Sequence, residues 1–245
     1  MDSKGAVLSR ERPIGTLYGV VVISFCTPMS DEKFGSDLEA LISRLIPDMR
    51  DSAFMKLEAI RKKLIEMHSH NLVKINHSAM EVICAKDLIL KGYEVDVEHR
   101  LAESLVCDLL GIKGDGRAMI EIETGFVPPE HALDPTAYCS ARIASKIARY
   151  SKFADKFSLA SPLYQILPIP PLFLRPPRVR EREEIEKVKK VCDRYYENPS
   201  IVLEEIAAGR VHSLLFIDVD RGTVREVDPE TYGESVLATL DNVRS

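Results

Sequence analysis

The chain has 245 residues, of which 45% are hydrophobic and 29% charged, and its formal net charge is −5. This composition is typical of a globular protein and excludes a fibrous or low-complexity chain. The acidic balance argues against a protein that coats nucleic acid with its whole surface, although a local basic face stays compatible with nucleic-acid binding. Short apolar runs and five scattered cysteines, which we expect to be small buried hydrophobic residues, predict a cytoplasmic protein without a membrane partner.

Residues 1–75 are predicted to form an N-terminal strand and a helical extension. Residues 16–25 have the pattern of a strand, whereas residues 31–47 and 51–69 have the apolar periodicity of helices. A polar stretch ends this extension before the next unit begins.

Residues 76–162 have the clearest pattern and are predicted to form a compact α/β core. Ser78 is expected to open a helix that ends near Lys91. Asp134 and Pro135 predict the start of a second helix, as its N-cap and first helical residue, and this helix is expected to reach Ala154. Four strands complete the core, with the turn Lys113–Gly116 between the second and the third: residues 93–98, 104–110, 117–124 and 156–160.

The remaining chain is predicted to form a connector and a C-terminal helix and hairpin region. Residues 163–179 are rich in proline, which predicts an extended connector that runs along the surface. Residues 180–245 should form this region, with helices at 180–197, at 200–208 and at the end of the chain, and a hairpin at 211–227.

Three carboxylates in the core indicate chemistry. Asp108 lies late in the second strand among apolar residues, and Glu121 and Glu123 alternate with isoleucines in the third. Side chains two apart share a face of a strand, and the short turn pairs both strands, so Asp108 can approach that face. Such carboxylates repel one another unless a cation lies among them, and their hard oxygen ligands suit Mg²⁺ or Mn²⁺. A solvent-exposed strand face is the alternative interpretation.

The stretch GYEVDVE…VCDLLGIKGDGRAMIEIETG resembles the PD-(D/E)XK nuclease superfamily, especially its archaeal resolvase-like and Mrr-like members, over about a third of the chain. The resemblance implies a restriction-endonuclease-like αβββαβ core with a mixed sheet. It also implies that Asp108 and Glu121 bind metal, that the Ile122 carbonyl is a further ligand, and that Glu81 is the carboxylate of the first helix. Glu123 takes the place of the lysine usual in that family, and could be a third ligand or orient the attacking water.

Two features of this assignment stay open. Ser78 to Glu81 also match a capping box, in which Glu81 would bind the Ser78 amide instead of belonging to a metal site. The charge of the missing lysine could come from a second metal ion held by Glu123, or from Lys146 in the second helix. The second metal ion is favoured, because Glu123 already shares a strand face with Glu121.

Basic residues of the second helix recur at spacings of four, three and three, and are expected to form one ridge: Arg142, Lys146, Arg149 and Lys152. Such a ridge could bind a phosphate backbone, and a solvated helix face is the alternative. The six histidines show no metal-binding spacing beyond the pair His68 and His70, which we interpret as surface residues.

The sequence therefore predicts a divalent-metal-dependent nuclease that hydrolyses phosphodiester bonds, with DNA favoured over RNA and with a role in repair or recombination. The candidate catalytic residues are Glu81, Asp108, Glu121, Glu123 and Lys146. A homodimer stays open. The alternatives are a catalytically inactive nuclease-like core that binds nucleic acid or a protein partner, and a structural or regulatory protein whose acids are merely exposed.

Overall fold

The computed structural model describes residues 30–196 and 200–244, so the strand predicted at residues 16–25 lies outside the described residues. Six strands of the described part form one mixed, open sheet with helices on both faces, which confirms the predicted α/β class. Each strand pairs with the next one along the chain. They are β1 (Glu94–Ala102), β2 (Leu105–Lys113), β3 (Gly116–Ile122), β4 (Lys156–Pro162), β5 (Ser213–Asp218) and β6 (Thr223–Val227).

The strand directions follow from the lengths of the connections. β1, β2 and β3 form an antiparallel meander, and Lys113 pairs with Gly116 across the predicted turn. β3 and β4 are parallel, because a helix crosses between them, and β4 and β5 are parallel as well. β5 and β6 form the predicted antiparallel hairpin, which extends the sheet beyond residues 76–162.

Three helices cover one face of the sheet: α1 (Asp31–Leu45), α2 (Asp51–Ser69) and α3 (Ile75–Leu90). Ser30 caps α1 by accepting a hydrogen bond from the Lys33 amide at 3.2 Å. The prediction that Ser78 opens α3 is wrong, because the helix begins at Ile75 and Ser78 is buried inside it. The helix starts without a side-chain cap, and the Ser78 amide donates to the Lys74 carbonyl at 3.0 Å, so Glu81 is not part of a capping box.

The second face is covered by α4 (Pro135–Tyr150), α5 (Arg182–Cys192), α6 (Leu203–Ala208) and α7 (Pro229–Arg244). Pro135 is the first residue of α4, as predicted, although the Asp134 carboxylate accepts a hydrogen bond from Tyr195 instead of capping the helix. A short 3-10 turn over Ser151–Phe153 carries the chain from α4 towards β4.

The proline-rich segment contributes to the core, so the prediction of a surface connector is wrong for its central part. Leu167, Leu172 and Phe173 are buried, and 3-10 turns form at Pro171–Leu174 and Pro177–Val179. The backbone amide of Leu167 donates to the Tyr232 hydroxyl at 2.8 Å. The prolines exclude regular structure, but the apolar residues between them still gain free energy by leaving water.

Four of the five cysteines lie in the described residues, and all four are buried and free, as expected: Cys84, Cys107, Cys139 and Cys192. Burial raises the pKa of Cys107 to about 12 and that of Cys192 to about 11. None of the described helices is both long and apolar enough to cross a bilayer.

Candidate metal centre

Two carboxylates lie where the backbone pairing of β2 and β3 stops. The paired residues run from Lys113 and Gly116 as far as Leu109 and Ile120. Beyond that point the Asp108 amide donates to Oε1 of Glu121 at 3.2 Å, and the Ile122 amide donates to Oδ2 of Asp108 at 2.5 Å. Side-chain oxygens thus replace backbone carbonyls as acceptors, which satisfies the amides and holds both carboxylates in place.

Lys146 lies among the three carboxylates that the sequence singled out. Its Nζ is 3.1 Å from Oε2 of Glu121, 3.1 Å from Oε1 of Glu123 and 3.7 Å from Oδ2 of Asp108. It also donates to the Ile122 carbonyl at 3.0 Å. The predicted convergence of the carboxylates is therefore confirmed, and the cation among them in the structure is an ammonium group.

Arg142 strengthens this ion-pair network. Its Nε donates to Oε2 of Glu123 at 2.9 Å, and its guanidinium also binds the Phe126 carbonyl. Arg142 and Lys146 therefore point at the acidic residues, so they do not belong to one outward ridge with the next two basic residues. Lys152 pairs with Glu205 at 2.8 Å, and the Arg149 guanidinium lies 5.7 Å from the centre of the Tyr196 ring. Phosphate binding by these four residues stays a prediction.

A second group of side chains meets Asp108: His77, Glu81 and Glu98. One ligand atom from each of the four residues lies within 4.8 Å of the others, so the group could hold a metal ion. His77 and Glu81 are four residues apart on α3, which places them on one helix face. Glu98 lies in β1 with a φ of 46°, an uncommon conformation for a residue other than glycine.

Asp108 links both groups through its two oxygens. Oδ1 lies 3.2 Å from Nε2 of His77, whereas Oδ2 accepts the Ile122 amide and faces Lys146. Burial raises the pKa of Asp108, but the Lys146 ammonium and the His77 ring outweigh that effect and hold this pKa at about 2. Asp108 is therefore the ionised acid at the centre of the site.

The pKa values of the neighbouring acids are shifted in the opposite direction, upwards. Burial and the charge of Asp108 raise the pKa of Glu121 to about 8. Burial, Asp108 and Glu98 raise the pKa of Glu81 well above its usual value, and burial and Asp108 raise that of Glu98. The acids around Asp108 thus resist ionisation without an additional cation.

The sequence interpretation missed two members of this group. His77 was set aside with the other histidines, although its spacing of four from Glu81 on a helix is a signal that could have been used. Glu98 belongs to a strand with alternating acids, and no local pattern indicates its left-handed backbone conformation or its approach to Asp108. Of the predicted ligands, Asp108 lies in this group, while Glu121, Glu123 and the Ile122 carbonyl surround Lys146.

No protein-family model matches the chain, and neither a curated protein nor a solved structure does. The resemblance to PD-(D/E)XK nucleases therefore stays a prediction.

Proposed function

We propose that the protein is a divalent-metal-dependent nuclease that hydrolyses phosphodiester bonds, with DNA as the favoured substrate. One observation carries this proposal: Asp108 stands between a group of potential metal ligands and the ammonium of Lys146. Phosphodiester hydrolysis would use both the metal ion and the ammonium group, because a water molecule must be activated for attack while negative charge develops on the phosphate oxygens.

Each side chain has a definable task in that reaction. Asp108, ionised and fixed by the Ile122 amide, would hold and orient the metal ion. A bound divalent metal ion would lower the pKa of a water ligand and offset charge on the phosphate. Lys146 would stabilise negative charge on the attacking water or on the phosphate, the task of the lysine that position 123 lacks.

The geometry supports Lys146 over a second metal ion as the source of that charge. Its ammonium is within hydrogen-bond distance of Glu121, and Glu123 is engaged by both Lys146 and Arg142. A second metal ion at Glu123 would have to displace two cations from a buried carboxylate. We therefore assign Glu121 and Glu123 the task of positioning Lys146.

The proposal is tested by incubating end-labelled duplex, branched and single-stranded DNA, and a matched RNA, with the protein and Mg²⁺ or Mn²⁺. We expect metal-dependent cleavage that Asp108→Asn abolishes and that Asp115→Asn, a change in the exposed turn between β2 and β3, leaves intact. Circular dichroism checks that both variants fold. Equal cleavage by wild type and Asp108→Asn would show that a contaminating nuclease is responsible and would refute the proposal.

The ion pairs favour one second candidate, a nuclease-like core that binds nucleic acid without cutting it. Two cations already compensate Glu121 and Glu123, so these acids can serve a structural purpose without a metal ion. This candidate predicts salt-dependent binding of the same DNA substrates, with no cleavage in Mg²⁺ or Mn²⁺.

A further inference from the structure

The Lys146 ammonium occupies the position where the sequence places a metal ion. It contacts Glu121, Glu123 and the Ile122 carbonyl, which are three of the four predicted ligands. A divalent ion at that position would lie within a few ångströms of a like charge in a buried environment, where such repulsion is strong. The metal ion is therefore expected on the other side of Asp108.

The other side contains the carboxyl group of Glu81, which is completely buried and has no cation as a partner. Within the described part of the chain, neither of its oxygens makes a hydrogen bond of good geometry, and its polar neighbours are the Ser78 hydroxyl and the Glu98 carboxyl group. Ionising a buried carboxyl group without a compensating cation costs several kcal/mol. Glu98, Asp108 and His77 converge on the same point as Glu81, so a cation bound by all four would remove this cost.

We propose that His77, Glu81, Glu98 and Asp108 form a single divalent metal site that selects a transition-metal ion such as Mn²⁺ over Mg²⁺. The reason lies in the donor set, which combines one imidazole nitrogen with carboxylate oxygens. Mg²⁺ prefers oxygen ligands, loses its water ligands reluctantly and is usually bound through only one or two carboxylates. An imidazole suits transition metals better, and four protein ligands require a more complete loss of water.

This inference deepens the proposed function, since it locates the metal ion of the proposed nuclease and names its class. It also gives Asp108 two partners at once, with Oδ1 on the side of the metal site and Oδ2 on the side of Lys146. The metal ion and the ammonium would then lie on opposite sides of one carboxylate.

Isothermal titration of the purified 245-residue chain with MnCl₂ and MgCl₂ tests the site without any nuclease assay. We expect one Mn²⁺ per chain, tighter binding of Mn²⁺ than of Mg²⁺, and a loss of Mn²⁺ affinity of roughly tenfold or more in His77→Gln and Glu98→Gln. His77→Gln should also reduce the difference between Mn²⁺ affinity and Mg²⁺ affinity, because the imidazole that favours Mn²⁺ is gone. His99→Gln is the matched control, because His99 neighbours Glu98 in sequence but binds Asp96 at 2.8 Å, and it should leave Mn²⁺ affinity unchanged.

Two outcomes would overturn the inference: Mn²⁺ affinity that Glu121→Gln abolishes while His77→Gln and Glu98→Gln retain it, or no Mn²⁺ binding by the wild-type protein. Circular dichroism verifies the fold of each variant, and a Mn²⁺-induced rise in the Tm of wild type that both ligand variants lose is a second readout. Mn²⁺ binding at this site without any cleavage of nucleic acid would support the inference and refute only the proposed nuclease.

Discussion

At the scale of single residues, two carboxylates in contact with the same ammonium differ in their ionisation. Asp108 has a pKa of about 2, because Lys146 and His77 outweigh its burial, whereas burial and Asp108 itself raise the pKa of Glu121 to about 8. A depressed pKa means that the charge of Asp108 stabilises the fold at neutral pH. A raised pKa means that ionising Glu121 destabilises the fold as the pH rises from about 4.5 through 8.

Neutral amides at the two positions should therefore change stability in different ways in metal-free protein. Asp108→Asn should lower the free energy of unfolding at pH 7 by about 2 kcal/mol, an effect that disappears as the pH falls towards 2. Glu121→Gln should already raise stability at pH 7 and raise it further at pH 9, because the raised pKa of Glu121 destabilises the wild-type fold at every pH above about 4.5. Urea denaturation in EDTA at both pH values measures this, and a stabilising Asp108→Asn would contradict the assignment of Asp108 as the ionised acid.

Lys146 should be more costly to remove than Lys152, which lies in the 3-10 turn that follows its helix. Lys146→Met leaves Glu121 and Glu123 buried without their shared cation, so we expect a loss of about 3 kcal/mol in the free energy of unfolding. Lys152→Met removes an exposed pair with Glu205 and should cost less than about 1 kcal/mol. If the nuclease proposal holds, Lys146→Met also loses turnover but retains Mn²⁺ affinity, and loss of both together would make Lys146 part of metal binding instead.

At the scale of elements, the sequence correctly predicts the features that local patterns determine. The predictions fail where contacts between residues distant in sequence determine the structure. The alternation around Glu121 and Glu123 correctly predicted their shared face, and Pro135 correctly predicted the start of α4. The start of α3 was missed, because the helix begins at Ile75 without a capping side chain, whereas the local pattern pointed to Ser78, which lies inside the helix. Lys146 could be named as a candidate, but only the packing of α4 beside β3 brings its ammonium to Glu121.

Glu226 of β6 joins three elements and should make the fold sensitive to acid. Its carboxylate pairs with Lys156 of β4 and lies 3.3 Å from Lys91 at the end of α3. Burial raises its pKa, but hydrogen bonds from Lys156 and Ser213 outweigh this and hold the pKa at about 2. A depressed carboxylate pKa stabilises the fold above about pH 4.5 and loses that effect as the pH falls through 2.

Glu226→Gln should therefore destabilise the protein at pH 7 and flatten the fall in stability between about pH 4.5 and pH 2. The side chain is 35% exposed, so solvent weakens the ion pairs and we expect a modest effect. Thermal unfolding across this pH range measures it, with the exposed Glu230→Gln as control. A pH profile parallel to that of wild type would assign the acid sensitivity to other groups.

At the scale of the whole molecule, the sheet and its two apolar layers extend past the predicted core. The layer under α3 combines residues of α1 and α2 with Leu215 and Ile217 of β5. The layer under α4 combines Leu214 of β5 with Phe173 of the proline-rich segment. β4 has a hydrogen-bonded neighbour on each side, so residues from outside 76–162 complete both its pairing and its burial.

A fragment of residues 76–162 should therefore fail to fold alone, whereas a fragment of residues 30–245 should fold. In the short fragment β4 becomes an edge strand. Leu159 and Phe157 are fully buried in the intact protein, and the fragment removes Leu214, the partner of Leu159 in β5, and His212, which exchanges hydrogen bonds with Phe157. An unpaired edge with exposed apolar side chains favours aggregation over folding. Circular dichroism and thermal unfolding of both fragments measure this: we expect a cooperative transition for residues 30–245 only. A cooperative transition in the short fragment would show that the segment resembling PD-(D/E)XK nucleases is an independent folding unit, with the flanking layers added to it.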